Sequence, residues 1–333
     1  MIARGLLKLF AWTLGMSFAV FLILDGKSQT PDAGKHALLG AALGFVLGAF
    51  FVWQRKSAKQ HPGQKGRTMT LWSGKWALVT GASAGIGTAL AEELARGGTN
   101  LVLTARRRDR LEELAQKLSA AHEIQAKIFV ADLTEANAPE KIFQFTKEQG
   151  IEVELLINNA GFGAYGEFPT VEPSRLTDMV QVNCSAVVHL TRLYLPEMVA
   201  RRHGDVLILA STASFQSVPY ISTYAATKAF DLLFAEGLAE EMKRYGVRVC
   251  ALCPGSTESE FADVAGQTHI AATRANRETA EKVARTGLRA LAAGKSYIIS
   301  GLGNYLGVLG QRLVSRRFVA RVAARMFKPQ EKS

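Results

Sequence analysis

The chain has 333 residues, 48% apolar and 21% charged, which excludes a disordered, collagen-like or disulfide-scaffolded protein and leaves room for a large core. Its net charge of +11 is uneven: residues 1–70 carry nine Lys/Arg against two acids, and residues 311–333 carry seven against one. The stretch between them is close to neutral, with 24 basic and 26 acidic side chains, so the charge disfavours a nucleic-acid groove and points to membrane-facing ends.

Residues 5–24 form an apolar run broken only by Lys8, and residues 36–53 form a second. At helical rise they span roughly 30 and 27 Å, close to a bilayer's hydrocarbon core. The polar stretch between them holds Gly26, Pro31 and Gly34, which predicts a transmembrane helical hairpin. Ala11, Gly15 and Ala19 on one helix and Gly40, Gly44 and Gly48 on the other would let the two backbones approach closely in lipid. A cleaved signal peptide is the alternative for the first run, but Leu24-Asp25-Gly26-Lys27 offers no small-x-small cleavage pattern. A buried soluble helix is the alternative for the second, against which its lack of charge argues. Arg4 and Lys8 precede the hairpin, and Arg55, Lys56, Lys59, Lys65 and Arg67 follow it, while Lys27 and Lys35 between the runs are offset by two aspartates. Both ends are therefore expected on the cytoplasmic side. The expected organisation is a hairpin over 1–53, a basic linker over 54–70, an α/β domain over 71–301 and a basic amphipathic segment over 302–333.

From Trp76 onward, short apolar runs at 76–80, 101–104, 127–130, 155–158, 206–210, 247–253 and 297–300 alternate with helix-period stretches. This predicts a seven-stranded, doubly wound parallel sheet of Rossmann-like type, whose ligands bind beyond the carboxyl ends of the strands where strand order reverses. Cys250 and Cys253 have a metal-like spacing, but without a second pair or a His cluster they read as strand packing and no metal is expected. After the first run comes Thr80-Gly81-Ala82-Ser83-Ala84-Gly85-Ile86-Gly87, then a predicted helix over 88–96. Gly81, Gly85 and Gly87 would let the backbone turn sharply and approach a pyrophosphate at the helix N-terminus. A glycine-rich turn with no ligand is the plain alternative.

The spacing Gly-x-x-x-Gly-x-Gly resembles the short-chain dehydrogenase/reductase family, and further motifs stand in register with it. Asp132-Leu133 matches the family's adenine-contacting position, and Asn158-Asn159-Ala160-Gly161 matches its Asn-Asn-Ala-Gly signature. Asn183 matches the relay asparagine, Ser211 the serine, Tyr224 and Lys228 the Tyr-x-x-x-Lys pair, and Pro254-Gly255 the turn after the sixth strand. The resemblance runs from about Gly74 to Gly301. It implies that Ser83, Ile86, Asp132, Leu133, Asn159, Ala160, Gly161, Pro254 and Gly255 help to hold a nicotinamide dinucleotide. It also implies that Asn183 holds a water linking Lys228 to solvent, that Ser211 orients a substrate oxygen, and that subunits pair as a homodimer. Residues 256–271 correspond to the family's mobile substrate loop, with Ser259 where many relatives have Thr.

The chemistry can also be read from the residues. Reducing a ketone needs a proton donor at its oxygen, and an unperturbed phenol near ~10 is a poor one at neutral pH. Lys228, one helical turn from Tyr224, is expected to lower that phenol's pKa and to hold the nicotinamide ribose. A surface tyrosine, a solvated lysine and a serine that ends a strand are the plain alternatives. Ser214, Tyr220 and Thr223 are read as packing or substrate-wall residues. At the end of the second strand Ala105 stands where an acid would bind a ribose 2′-hydroxyl, and Arg106 follows, which favours NADP(H) over NAD(H), with Ser83 or Arg107 assisting. Arg317, Arg321 and Arg325 fall on one helical face with Phe318, Val322 and Met326 beside it, a pattern that fits an anionic lipid surface or a cover for the domain's own core. The expected protein is thus a membrane-anchored NADPH-dependent reductase of a small lipophilic carbonyl compound, with no nucleic-acid partner. An alcohol dehydrogenase running oxidatively, a noncatalytic NADP-binding scaffold and a nucleotide-sugar epimerase are the alternatives. The scaffold has no need of the tetrad, and the epimerase would carry a different glycine spacing and a longer C-terminal domain.

Overall fold

In the computed structural model, residues 69–267 and 277–329 are described, all within the second of two units, residues 66–333. The two predicted membrane runs lie outside these residues. Among the described residues no helix is long and apolar enough to cross a membrane.

The seven expected strands are all present: β1 (Trp76–Thr80), β2 (Asn100–Ala105), β3 (Ala126–Val130), β4 (Val153–Asn158), β5 (Gly204–Leu209), β6 (Val247–Cys253) and β7 (Tyr297–Ile299). They pair in parallel in the order β3-β2-β1-β4-β5-β6-β7. Strand order reverses between β1 and β4, so the turns that leave these two strands diverge and open a groove between them. The strands read as unbroken apolar runs because helices cover both faces. On one face α1 (Gly85–Arg96), α2 (Arg108–His122) and α8 (Ala280–Ala292) supply Leu90, Leu111 and Leu288 to one core. On the other, α3 (Ala138–Glu148), α5 (Ala186–Arg201) and α6 (Ser222–Met242) supply Ile142, Leu190 and Leu232 to a second. Cys250 and Cys253 are free thiols buried in different cores, one on each side of the sheet, as strand packing requires.

One boundary differs from the sequence reading, and two of the longer helices carry irregular turns. Helix α1 begins at Gly85, not residue 88, so the glycine turn runs straight into the first helical turn. The long helix α6 ends at Met242 and tightens into a 3-10 turn over Lys243–Tyr245. Helix α4 (Pro173–Val180) joins α5 through a π-helical turn at Gln181–Ser185, which carries Asn183. A short helix α7 (Phe261–Val264) follows β6.

The C-terminal segment forms two helices, α9 (Leu302–Gln311) and α10 (Arg316–Phe327), with the Ser315 hydroxyl accepting from the Phe318 N–H at the start of the second. Ala323 of α10 is buried with Ala213, Val218, Ile221 and Ala225, and Phe327, Tyr165 and Tyr224 pack against this cluster. The Tyr165 hydroxyl donates to the Phe327 carbonyl at 2.9 Å. The opposite face, with Arg317, Phe318, Arg321, Val322, Arg325 and Met326, is exposed. One side of the helix thus covers the domain, as one of the two sequence readings had it, and the other side stays open.

Gly87 has the tightest surroundings of the glycine turn. A Cβ there would stand 2.2 Å from the Gly81 carbonyl oxygen and 2.5 Å from Asn159 Nδ2, whereas Gly303 in α9 has nothing within 4 Å. Gly87→Ala is therefore expected to lower the thermal unfolding midpoint. Gly303→Ala is expected to leave it unchanged or raise it by the equivalent of roughly 0.5–1 kcal/mol, the usual gain for alanine inside a helix. Calorimetric scans of the two variants check the contrast.

Candidate active site

The groove between β1 and β4 is braced by hydrogen bonds that cross it. Thr80 Oγ1 accepts from the N–H groups of Asn159 and Ala160, both at 2.9 Å, and donates to the Ile157 carbonyl. Asn159 Nδ2 donates to the carbonyls of Thr80 at 2.8 Å and Gly81 at 3.2 Å. Gly81 and Gly85 have φ of 66° and 57°, the left-handed region that glycine enters without a Cβ penalty. The start of α1, with Ile86 and Gly87, therefore faces the groove with its free N–H groups. Pro254 bounds the groove's far side by accepting from the Thr212 N–H at 2.9 Å, and Gly255 lies against Asn304.

The acid end is assembled by β5, the turn after it and α6. Ser211 caps the 3-10 turn Thr212–Phe215, its hydroxyl accepting from the Ala213 N–H. Ser214 ties this turn to α6: its hydroxyl accepts from the Ser211 N–H and donates to the Lys228 carbonyl at 2.6 Å. Tyr224 and Lys228 lie one turn apart with Lys228 Nζ 6.0 Å from the Tyr224 ring centre, as their spacing predicts. Gly161 brings Asn183 alongside, since a Cβ on it would stand 3.1 Å from Asn183 Oδ1 and 3.4 Å from Lys228 Nζ. Asn183 itself is a strut. Its Nδ2 donates to Phe162 O and Thr227 Oγ1, and its Oδ1 accepts from Phe162 N.

Asp231 was missed by the sequence reading. It lies three residues beyond Lys228, with Oδ2 accepting from Nζ at 3.0 Å, while Nζ also donates to the Leu209 carbonyl at 2.6 Å. Both side chains are almost wholly buried, and Asp231 Oδ1 has no hydrogen-bond partner among the described residues. Burial pushes the Asp231 carboxyl up to about 6, opposed by the Lys228 charge. Burial pulls Lys228 down, but Asp231 and then Tyr224 outweigh it and the ammonium is held above its ordinary range. The signal in the sequence was only an acid at i+3 from a lysine, which on a surface helix is an ordinary salt bridge.

Asp231 also bears on the expected tuning of the acid. Burial raises the Tyr224 phenol, and Lys228 and a hydrogen bond from Ser211 pull it back, but Asp231 raises it again, so the net direction is upward. The lysine acts with the expected sign. It does not prevail, because desolvation is the largest effect on this phenol, with Asp231 adding a smaller push in the same direction.

At the other end of the groove, the guanidinium joined to Ser83 is that of Arg107, whose Nε and Nη2 donate to the Ser83 hydroxyl at 3.2 and 3.1 Å. Arg106 is more exposed and its Nη1 stands 3.8 Å from Asp132. Asp132 Oδ1 accepts from Thr134, and Leu133 is buried in the core. Arg107 and Arg110 both donate to Glu260, at 2.8 and 2.6 Å. This carboxylate marks a seat where two guanidiniums converge on an anion, one of them also holding the Ser83 hydroxyl. No spacing rule could have paired Arg107 with Glu260, which are 153 residues apart.

A groove that opens at a glycine turn and helix N-terminus and ends beside a partly buried phenol and a buried ammonium has the parts of a dinucleotide-dependent oxidoreductase. The chain belongs to the short chain dehydrogenase family, whose model matches residues 75–269. It is 37% identical over 186 residues to the very-long-chain 3-oxoacyl-CoA reductase-A of Danio rerio, covering 54% of this chain and 57% of that one. It is 33% identical over 226 residues to the very-long-chain 3-oxoacyl-CoA reductase of Anas platyrhynchos, covering 66% and 69%. The aligned region thus spans little more than half the length of the Danio rerio relative. Among solved structures it is similar to a short-chain dehydrogenase from Sphingobium yanoikuyae in complex with NADPH, at 27% identity and a TM-score of 0.65, covering 78% of this chain and 98% of that one.

Removing one member of a buried ion pair usually costs about 3–5 kcal/mol, because the other is left as an uncompensated charge, whereas replacing both with apolar groups is often neutral. Lys228→Met and Asp231→Leu are each expected to lower the unfolding midpoint in urea, and the double variant to recover most of the loss. Additive losses in this cycle would mean that the two groups are not coupled.

Proposed function

We propose that this protein is a membrane-anchored, NADPH-dependent reductase of lipophilic ketones of the 3-oxoacyl class. The observation that carries the reading is the convergence of Ser211, Tyr224 and Lys228 at the end of a groove whose other end joins Ser83 to Arg107. Gly81, Ser83, Gly85, Ile86 and Gly87 would hold the dinucleotide's phosphates, and Asn159, Ala160, Gly161, Pro254 and Gly255 would line its path. Arg107, with Arg106 and Arg110 near it, would meet a 2′-phosphate, and Lys228 would reach the nicotinamide ribose. When bound, the nicotinamide supplies the hydride that reduces the carbonyl carbon.

The chain's own residues manage the oxygen. Ser211 donates a hydrogen bond to the carbonyl oxygen and orients it. Tyr224 gives its proton to the same oxygen as negative charge develops there, so the product leaves as the alcohol and the phenolate is reprotonated from solvent. Burial keeps the free phenol protonated, and the Lys228 charge opposes that effect as the proton is given up. Lys228 remains an ammonium and stabilises the transient phenolate. Asn183 holds the Phe162 backbone against α6 and is the candidate to position a water on the path to Lys228.

The sequence supports placing this domain on the cytoplasmic side of a bilayer, through the predicted hairpin over residues 5–24 and 36–53. The open face of α10 supports the same reading, since its arginines and its Phe318, Val322 and Met326 suit an anionic lipid surface, while Ala323 and Phe327 on its inner side pack near Tyr224. A lipophilic ketone could then enter from the bilayer. Exposed Val188 on α5 and Phe230 and Leu233 on α6 support pairing of subunits through these helices.

The test is reduction of a long-chain 3-oxoacyl substrate by purified full-length protein with NADPH. Tyr224→Phe is expected to lower kcat by about 10²–10⁴-fold, the usual worth of a positioned acid, with little change in NADPH binding measured by fluorescence. Equal turnover by the two proteins would remove Tyr224 from its role. NADPH binding without turnover of any 3-oxoacyl, steroidal or aromatic ketone would favour the scaffold reading.

A further inference from the structure

Three consecutive residues after β6 reach three separate parts of the groove. Ser259 lies against the glycine turn, its Cβ 2.8 Å from where a Cβ on Gly85 would stand. Glu260 is held by Arg107 through Oε2 and by Arg110 through Oε1. Phe261 packs on the acid, its ring centre 5.1 Å from that of Tyr224. Arg175 braces the far end of this strap by donating to the carbonyls of Gly163 and Val264.

The middle contact is the one that can be exchanged. Arg107, Arg110 and Glu260 have side-chain exposures of 40%, 43% and 43%, so an anion from solvent can reach them. An exposed carboxylate on a guanidinium is a weak bond. A phosphate monoester brings about −1.5 to −2 charges at neutral pH and three acceptor oxygens, and it competes well for the same planar donors. A bare 2′-hydroxyl brings no charge and leaves Glu260 in place.

We propose that Glu260 is a resident competitor for the dinucleotide's 2′-phosphate: the phosphate takes Arg107 and Arg110 from it, and the release loosens the strap that rests on Gly85 and Tyr224. Glu260 would then contribute to cofactor discrimination and make access to the acid follow binding of the phosphorylated cofactor. The proposal rests on the NADP(H) reading above and extends it to a residue outside the family motifs.

The experiment uses full-length protein in detergent micelles and two fragments that carry no nicotinamide, 2′,5′-ADP and 5′-AMP. Hydrogen exchange is followed over residues 256–264, and binding by calorimetry. In the wild type, 2′,5′-ADP is expected to speed exchange of this segment by about threefold to tenfold, the range set by losing a weak ion pair. At equal occupancy 5′-AMP is expected to leave it unchanged. Glu260→Gln is expected to exchange at the faster rate without ligand, to show no further response, and to bind 2′,5′-ADP about threefold to tenfold more tightly with 5′-AMP affinity unchanged. Arg107→Ala is expected to weaken 2′,5′-ADP in both backgrounds. If 2′,5′-ADP binds but exchange stays constant or slows, or if Glu260→Gln binds it no better than the wild type, the competitor role is overturned while the cofactor reading stands. If 2′,5′-ADP binds neither protein, both fall.

Discussion

A lysine ammonium with almost no water around it must be compensated from within the fold, and the catalytic corner is organised around that demand. Lys228 meets it with the Leu209 carbonyl at the end of β5 and with Asp231 on its own helix. Those two contacts fix where Nζ stands, and Ser214 fixes where the helix stands by bonding the Lys228 carbonyl and the Ser211 N–H together. Serine, tyrosine and lysine therefore keep a common geometry because one charge has to be satisfied. The arrangement has an electrostatic consequence. An aspartate close enough to hold the lysine also opposes the lysine's pull on Tyr224, adding a smaller push to the upward shift that burial gives the phenol.

The other end of the groove is set by backbone rather than by charge. Strand order reverses between β1 and β4, and the two turns that leave these strands are stitched by Thr80 and Asn159. Gly87 has to be a glycine because the Gly81 carbonyl and the Asn159 amide occupy the space a side chain would need. The segment after β6 then lies over both ends at once, so the glycine turn, the arginines and the tyrosine are in mechanical contact through three residues. The C-terminal helix α10 adds a wall from the outside, with small and aromatic residues turned inward and arginines turned outward. A carbonyl compound too lipophilic to travel through water would gain from having these two surfaces on a single helix.

Much of this was legible in the sequence. The seven strands, their parallel pairing and the glycine turn follow from apolar runs alternating with helical periods, since local propensity and burial agree along each run. Tyr224 and Lys228 were also legible, because helix geometry alone decides that residues four apart share a face. The boundaries that shifted, such as the start of α1 at Gly85 and the division of the C-terminal segment into α9 and α10, did so where propensity is weak and caps and packing decide.

What the sequence by itself determined is the set of parts: a sheet with helices on both faces, glycines where a phosphate must come close, and a phenol beside an ammonium. What only the tertiary structure decided is how the charges are shared. Asp231 looks like a surface acid until its burial is known, and Arg107 and Glu260 are far apart along the chain until β6 delivers one to the other. Spacing carries information about neighbours on one element, whereas desolvation and contacts between elements depend on where the whole chain closes on itself.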